Sequence, residues 1–481
     1  MDIDKSLDRV KQVKGLRWLN RLRNKTDEIP GWVSTFHPEK IPCAIEGDEL
    51  YGSFNLCQKV VFTNNEAWVI CFPIPGKTSD AHLDEKVASE VAALRLLRER
   101  TAIPVPTVKA WGLASDNALG LGPFIMEEFI QGVSLKNILR DDEAEGSVLL
   151  RNDLDDREVE IIYRQLAQFM LQIFELSFNQ IGDLPLESAT APPRRPLTLT
   201  AHEITRLGGV DVLGSRSPGF PTTKAYFDHV VDQHWQQLLG QLNSVEDEDD
   251  ARQKYIFFKI LKSLTDRHVW PEYDHGPFKL ICDDLGPANM IVDSRESLTI
   301  TGVVDLEWAY AGPAQMLGTA PWWLLQERPE LWDATPDMTA RFFRHLRLFR
   351  RVLEEEEEEK MQPRPAAGHQ RKELSKPIER SETEGTMWFH MILQGFFHGP
   401  GSLLWEQLKA CTLDWDRLAA EIPEEEIRGF VDAKMRHLRL HDERLSKTET
   451  TYDEMLAGKW SIQGFIDEVE APYRRAAGAC P

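Results

Sequence analysis

The sequence predicts an α+β chain whose strands gather in the first third and whose helices take most of the rest. Three observations carry this. Between residues 43 and 128, short β-branched and aromatic runs (56–62, 67–72) flank turn residues such as Thr63-Asn64-Asn65-Glu66. After Ser134 the apolar residues change to helical spacing, as in Val159, Ile162, Leu166, Phe169, Met170 and Ile173. Within the helical part, 281–293 (ICDDLGPANMIVD) reads as strand, polar loop, strand, and the β-branched run 301–304 that follows leads into Asp305.

Composition narrows the function. A chain of 481 residues holds two to three domain-sized units. A net charge of −22 argues against a nucleic-acid partner. No run reaches the roughly 20 apolar residues of a membrane span, so no membrane partner is expected. The charged start, MDIDKSLDRVKQVKG, lacks the apolar centre of a secretory signal, and the default expectation is a cytoplasmic protein. Cys43, Cys57, Cys71, Cys282, Cys411 and Cys480 are scattered without a C-x-x-C pair. They read as thiols in a reducing compartment, with neither a zinc site nor a disulfide framework.

The chemistry sits at the strand ends. Asp284, Asn289 and Asp305 offer two carboxylates and an amide oxygen, hard ligands of the kind Mg²⁺ takes alongside substrate phosphates. Cys282-Asp283-Asp284-Leu285-Gly286-Pro287-Ala288-Asn289, followed by Val304-Asp305-Leu306-Glu307, resembles the catalytic centre of the aminoglycoside phosphotransferase and choline kinase group. That group pairs His-Gly-Asp-x-x-x-x-Asn with Ile-Asp-x-Glu, and the wording DDLGPAN is similar to its fungal branch. The resemblance implies a protein-kinase-like fold of two lobes and an ATP- and Mg²⁺-dependent kinase acting on a small-molecule hydroxyl. It implies Asp284 as the base, Asn289 and Asp305 as metal ligands, and Glu307 in support of the substrate or the metal.

Taken in order, 1–40 is an N-terminal helical extension, with Val10, Val13, Leu16, Leu19 and Leu22 every three residues. Residues 41–130 form the β-rich lobe, to which the resemblance assigns the nucleotide. Its helix, 81–100, places Glu90 within the apolar face of Val87, Val91, Leu94 and Leu97, where a charge needs a partner. The resemblance implies an ion pair with a basic residue on the preceding strand. The plain alternative is Lys86 one turn back. The expected basic position is Cys71, which cannot make the pair, leaving Lys59 or Lys77 to reach in. By order along the chain, the resemblance places the adenine against the backbone around Glu127 and Phe129. Residues 131–350 form the large helical lobe, in which the acidic run 246–250 reads as a solvated linker. The six glutamates 354–359 open a polar stretch, 351–385, expected to be a disordered insert, and 386–481 is helical again. Cys282 takes the place of the family's bracing histidine. With Cys71 it keeps a second reading open: an impaired, pseudokinase-like binding protein.

Overall fold

Strict alternation builds the first sheet. In β3 (Asn55–Phe62), Leu56, Gln58, Val60 and Phe62 are buried while Asn55, Cys57, Lys59 and Val61 are half-buried. β4 (Ala67–Pro73) repeats the pattern, burying Trp68, Ile70 and Phe72. A period of two places these sets on opposite faces. One face packs on Trp18, Trp32, Phe124 and Met126. The other carries Cys57, Val69 and Cys71 to the wall of a cavity. The computed structural model describes residues 3–141, 148–186, 193–332, 336–360, 373–396 and 399–477.

The sheet order is β1 (Cys43–Ile45), β3, β4, β6 (Phe124–Glu128), β5 (Val108–Gly112), with β2 (Leu50–Tyr51) paired to β3. The Leu83–Arg100 helix follows β4 and presents Val87, Val91, Leu94 and Leu97 to the main core. The Lys5–Arg23 helix starts at an Asp4 cap. It shares Trp18 and Leu22 with the sheet core, and Val10 and Val13 with Phe465, Ile466 and Val469 near the C-terminus.

The antiparallel register sets Cys57 opposite Cys71, and the two form a disulfide. This corrects the expectation of thiols alone. The pairing lies in the hairpin register, which cysteine spacing along the chain does not display. Cys43, Cys282 and Cys411 are free, and Cys480 lies outside the described residues.

From β6 the chain passes through β7 (Val133–Ser134) into the helical part. Gly132 makes this passage possible: a Cβ there would stand 2.3 Å from the carbonyl oxygen of Val292. The Asp156–Glu175, Thr223–Gly240, Glu248–His268, Pro336–Lys360 and Glu424–Leu456 helices surround two small sheets. One runs β10 (Ile300–Val303), β9 (Met290–Val292), β7; the other pairs β11 (Ala309–Gly312) with β8 (Lys279–Cys282).

Two acidic runs differ from expectation. Asp247 caps the Glu248–His268 helix by accepting from the Asp250 amide, so 246–250 starts a helix instead of linking two. Carboxylates in a first turn also suit the helix dipole. The glutamates 354–359 lie inside the Pro336–Lys360 helix. Arg164 bridges Glu355 and Glu356, and Glu357 accepts from the amide and hydroxyl of Ser375. A further helix, Ser375–Thr383, follows. Of the expected disordered insert, 361–372 lies outside the described residues. Among the described residues no helix is long and apolar enough to cross a membrane.

Candidate active site

The loop from Asp283 to Asn289 is held from both ends by short strands. β8 delivers Cys282 opposite Ala309 of β11, and β9 sets Met290 opposite Val303 of β10. A 3-10 turn, Pro287–Asn289, closes the loop. The amide of Val304 donates to the Asn289 carbonyl at 3.0 Å, which lays the second motif beside the first. Asp305 then takes a left-handed backbone conformation, φ +62°. Aspartate tolerates this region better than most residues, and such conformations concentrate where function fixes a side chain.

Asn289 Nδ2 donates to the Asp284 carbonyl oxygen at 2.9 Å and to its Oδ2 at 3.2 Å. Asp284 Oδ1 accepts from Arg328 Nη2 at 2.7 Å. Arg328 also donates to the Asp283 carbonyl oxygen at 3.1 Å and stacks on Trp322, 4.6 Å from the ring centre. Asp283 is buried; its carboxylate accepts from the Leu199 amide and from Tyr310 Oη, itself hydrogen-bonded to Tyr226. Burial raises the Asp283 carboxyl to about 6, with Arg328 opposing. Cys282 packs against the core, its thiol raised to about 12 by burial and by Asp283. The hydrogen bonds that brace this end of the loop are made by Asp283.

Above the loop lies a cavity of about 380 Å³, lined by Asn55, Cys57, Cys71, Glu90, Glu127, Phe129, Ile130, Ala288 and Asp305 among others. Glu90 is buried and held well above its usual range by burial, then by Glu127 and Glu307. Burial and Asp305 push Glu127 up to about 8. Asp305 is raised as well, by burial and then Glu307. Lys86 pairs with Glu307 instead of Glu90, and donates to Asn55 Oδ1 at 2.8 Å. Asn55 Nδ2 completes the triangle at 2.7 Å from Glu307 Oε2. Lys59 is drawn to Glu46 at 2.6 Å and stands 4.3 Å over the Phe129 ring, while Lys77 donates to the Gly52 carbonyl.

The structure therefore brings Glu90, Glu127, Phe129 and Asp305 to one cavity, with Asp284 and Asn289 hydrogen-bonded to each other at the loop. Arg328 and Asn55 were not legible as site residues, nor was the joining of Glu307 to Lys86. Arg328 lies 44 residues beyond Asp284 and belongs to no spacing motif.

The donor set fits Mg²⁺. The buried Oδ1 of Asp305 has no hydrogen-bond partner, and Asn289, committed to Asp284 through Nδ2, keeps its Oδ1 as an acceptor. Among the described residues no three His, Cys, Asp or Glu side chains converge into a ready metal cage.

The chain belongs to the phosphotransferase enzyme family, whose sequence model matches residues 59–351. It has that family's kinase-like fold, a β-rich N-terminal lobe and a mainly helical C-terminal lobe. Among curated proteins it is similar to "Altered inheritance of mitochondria protein 9, mitochondrial" from two yeasts. The Clavispora lusitaniae protein is 27% identical over 316 residues, covering 57% of this chain and 48% of that protein. The Candida albicans protein is 32% identical over 126 residues, covering 25% and 19%. The chain thus spans about half or less of these relatives' length. A solved macrolide 2′-phosphotransferase from Brachybacterium faecium is 12% identical, with a TM-score of 0.39 and coverage of 83% of this chain and 99% of that one. The cytoplasmic expectation does not stand, because the relatives are named as mitochondrial proteins. It rested on lacking a secretory signal and a span, and the absence of one address does not supply another.

Proposed function

We propose that this phosphotransferase is an ATP- and Mg²⁺-dependent small-molecule kinase that uses Asp284 as the base toward a substrate hydroxyl. The observation that carries the reading is the direct contact of Asn289 with Asp284, beside an Asp305 whose buried oxygen has no partner. Phosphoryl transfer asks the protein mainly for positioning and charge neutralisation. Asn289 and Asp305 would hold Mg²⁺, which supplies the charge neutralisation at the phosphates. Glu90 would order the phosphate side, the strand around Glu127 and Phe129 would hold the adenine, and Lys59 would border it across the Phe129 ring. The relatives' names make the mitochondrion the location to test first, by microscopy of a fluorescent fusion.

One observation favours a second reading. Cys71, where the family has a basic residue, is tied into a disulfide, so that strand gives the phosphates no cation. A nucleotide-binding module without turnover would tolerate this. Thermal stability with and without Mg-ATP, followed by ADP release over a panel of hydroxylated metabolites, separates the two. Linkage gives about 2.7 kcal/mol of stabilisation at one hundred times the dissociation constant. Stabilisation with acceptor-dependent ADP release supports the kinase. Stabilisation without ADP release supports the module, and no stabilisation at millimolar Mg-ATP rejects both.

A further inference from the structure

We propose that Arg328 is the cation of the transfer step, supplied from the segment beyond β11 to the phosphoryl group in flight; this rests on the kinase reading above. The transfer centre needs positive charge near the acceptor, and three lysines of the small lobe already have partners. Lys86 is 1% exposed and locked to Glu307 and Asn55. Lys59 is held by Glu46 and Lys77 by the Gly52 carbonyl.

Arg328 is differently placed. Its side chain is 17% exposed and meets the base itself, Asp284 Oδ1, at 2.7 Å. Both hydrogen bonds that tie it to the loop use Nη2. A guanidinium has five N–H donors in a fixed plane, so most of the fork is left for oxygens of another group. The guanidinium carbon lies 4.6 Å from the centre of the Trp322 ring. A pure brace would spend its donors on the protein; this one spends a single nitrogen.

In the step itself, the substrate oxygen bonds to the γ-phosphorus and the bond from that phosphorus to the β–γ bridging oxygen breaks. The hydroxyl proton passes to Asp284, and the bond electrons leave with ADP. Arg328 is unchanged throughout. Its free N–H groups face the phosphoryl oxygens as charge spreads over them. Preorganised cations at that point act on the transition state more than on bound ATP.

The test uses the full chain and Mg-ATP, with ADP release to water as the basal reaction. Arg328→Gln should lower that rate by about 10²–10³-fold, the loss seen when one charge-stabilising donor is removed. KM for ATP should stay within a few-fold. Millimolar guanidinium should restore part of the rate, and Arg328→Lys should keep more of it than Arg328→Gln. A readout independent of turnover is melting with Mg-ADP and aluminium fluoride, which mimics the transferring group. Arg328→Gln should lose that added stabilisation while keeping the stabilisation by Mg-ATP. Full activity in Arg328→Gln overturns the inference alone. So does a variant that loses both stabilisations equally with no guanidinium rescue, which marks a brace. Wild-type protein that neither binds Mg-ATP nor releases ADP overturns the kinase reading and this inference together.

Discussion

Glu127→Gln removes a charge from the cavity wall while keeping its shape. Glu127 is 6% exposed, Asp305 presses on it, and one of its oxygens has no hydrogen-bond partner. Its carboxyl moves from an ordinary 4.5 to about 8 on folding. A raised folded value means the contribution to stability is fully present below pH 4.5 and is lost as pH rises through 8. At 1.36 kcal/mol per pH unit, the 2.5 units between 4.5 and 7 amount to about 3 kcal/mol, and the full 3.5 units to about 5 kcal/mol above pH 8. Glutamine carries no such charge. Urea denaturation of both proteins from pH 4.5 to 9 should give similar midpoints at the acid end and a variant increasingly more stable toward pH 9. Equal stability at every pH, or a gap that does not widen between pH 5 and 8, refutes the argument that a buried, unpaired carboxyl sits here.

Asp284→Asn should lower ADP release by about 10² or more, the usual contribution of a positioned base. The variant should still be stabilised by Mg-ATP in a melting assay; undiminished turnover would remove Asp284 from the chemistry. Dithiothreitol should destabilise the wild-type chain by about 3 kcal/mol in urea titrations, the loop-closure value for a cross-link spanning 14 residues. The Cys57→Ser, Cys71→Ser double variant should melt alike with and without reductant, and a reductant-insensitive wild type would mean no such bond stabilises the protein. Chelation with EDTA should abolish stabilisation by ATP, because the phosphates would meet Asn289 and Asp305 only through the ion; ATP binding undiminished in EDTA would reject the metal assignment to Asn289 and Asp305.

Much of the site was legible because its groups are close in sequence or out of pattern. The loop from Asp284 to Asn289 and the motif at Asp305 are joined by hairpin strands, so spacing along the chain nearly maps to space. Glu90 stood out as a carboxylate in an apolar stripe. The rest depends on partners that meet only in three dimensions. Asn55 and Glu307 are 252 residues apart. Lys86, considered only as a partner for Glu90, turns to Glu307 because the Leu83–Arg100 helix carries it under the segment after β10. The glutamates 354–359 resemble a tether by composition, yet Arg164 on the Asp156–Glu175 helix gives two of them a partner. The Asp283-Asp284 doublet was visible, but its division of labour follows from burial. Asp283 faces Tyr310 and the Leu199 amide, while Asp284, 33% exposed, meets Arg328 and Asn289.

These charges suggest how the site works without a strand cation. Glu90, raised by burial and then by its carboxylate neighbours Glu127 and Glu307, lines the same cavity as Asp305. The segment that carries Asp305 is gripped at Glu307 by Lys86 and Asn55, so the helix and the edge of β3 both hold the second motif in place. The small lobe thus positions Asp305 directly, where a lysine on β4 would have positioned phosphates. On the proposed reading, positive charge would come from the large-lobe side, from a metal ion at Asn289 and Asp305 and from Arg328 at Asp284. With no lysine or arginine on β4 to meet the phosphates, ATP affinity would be conditional on the ion instead of additive with a fixed cation.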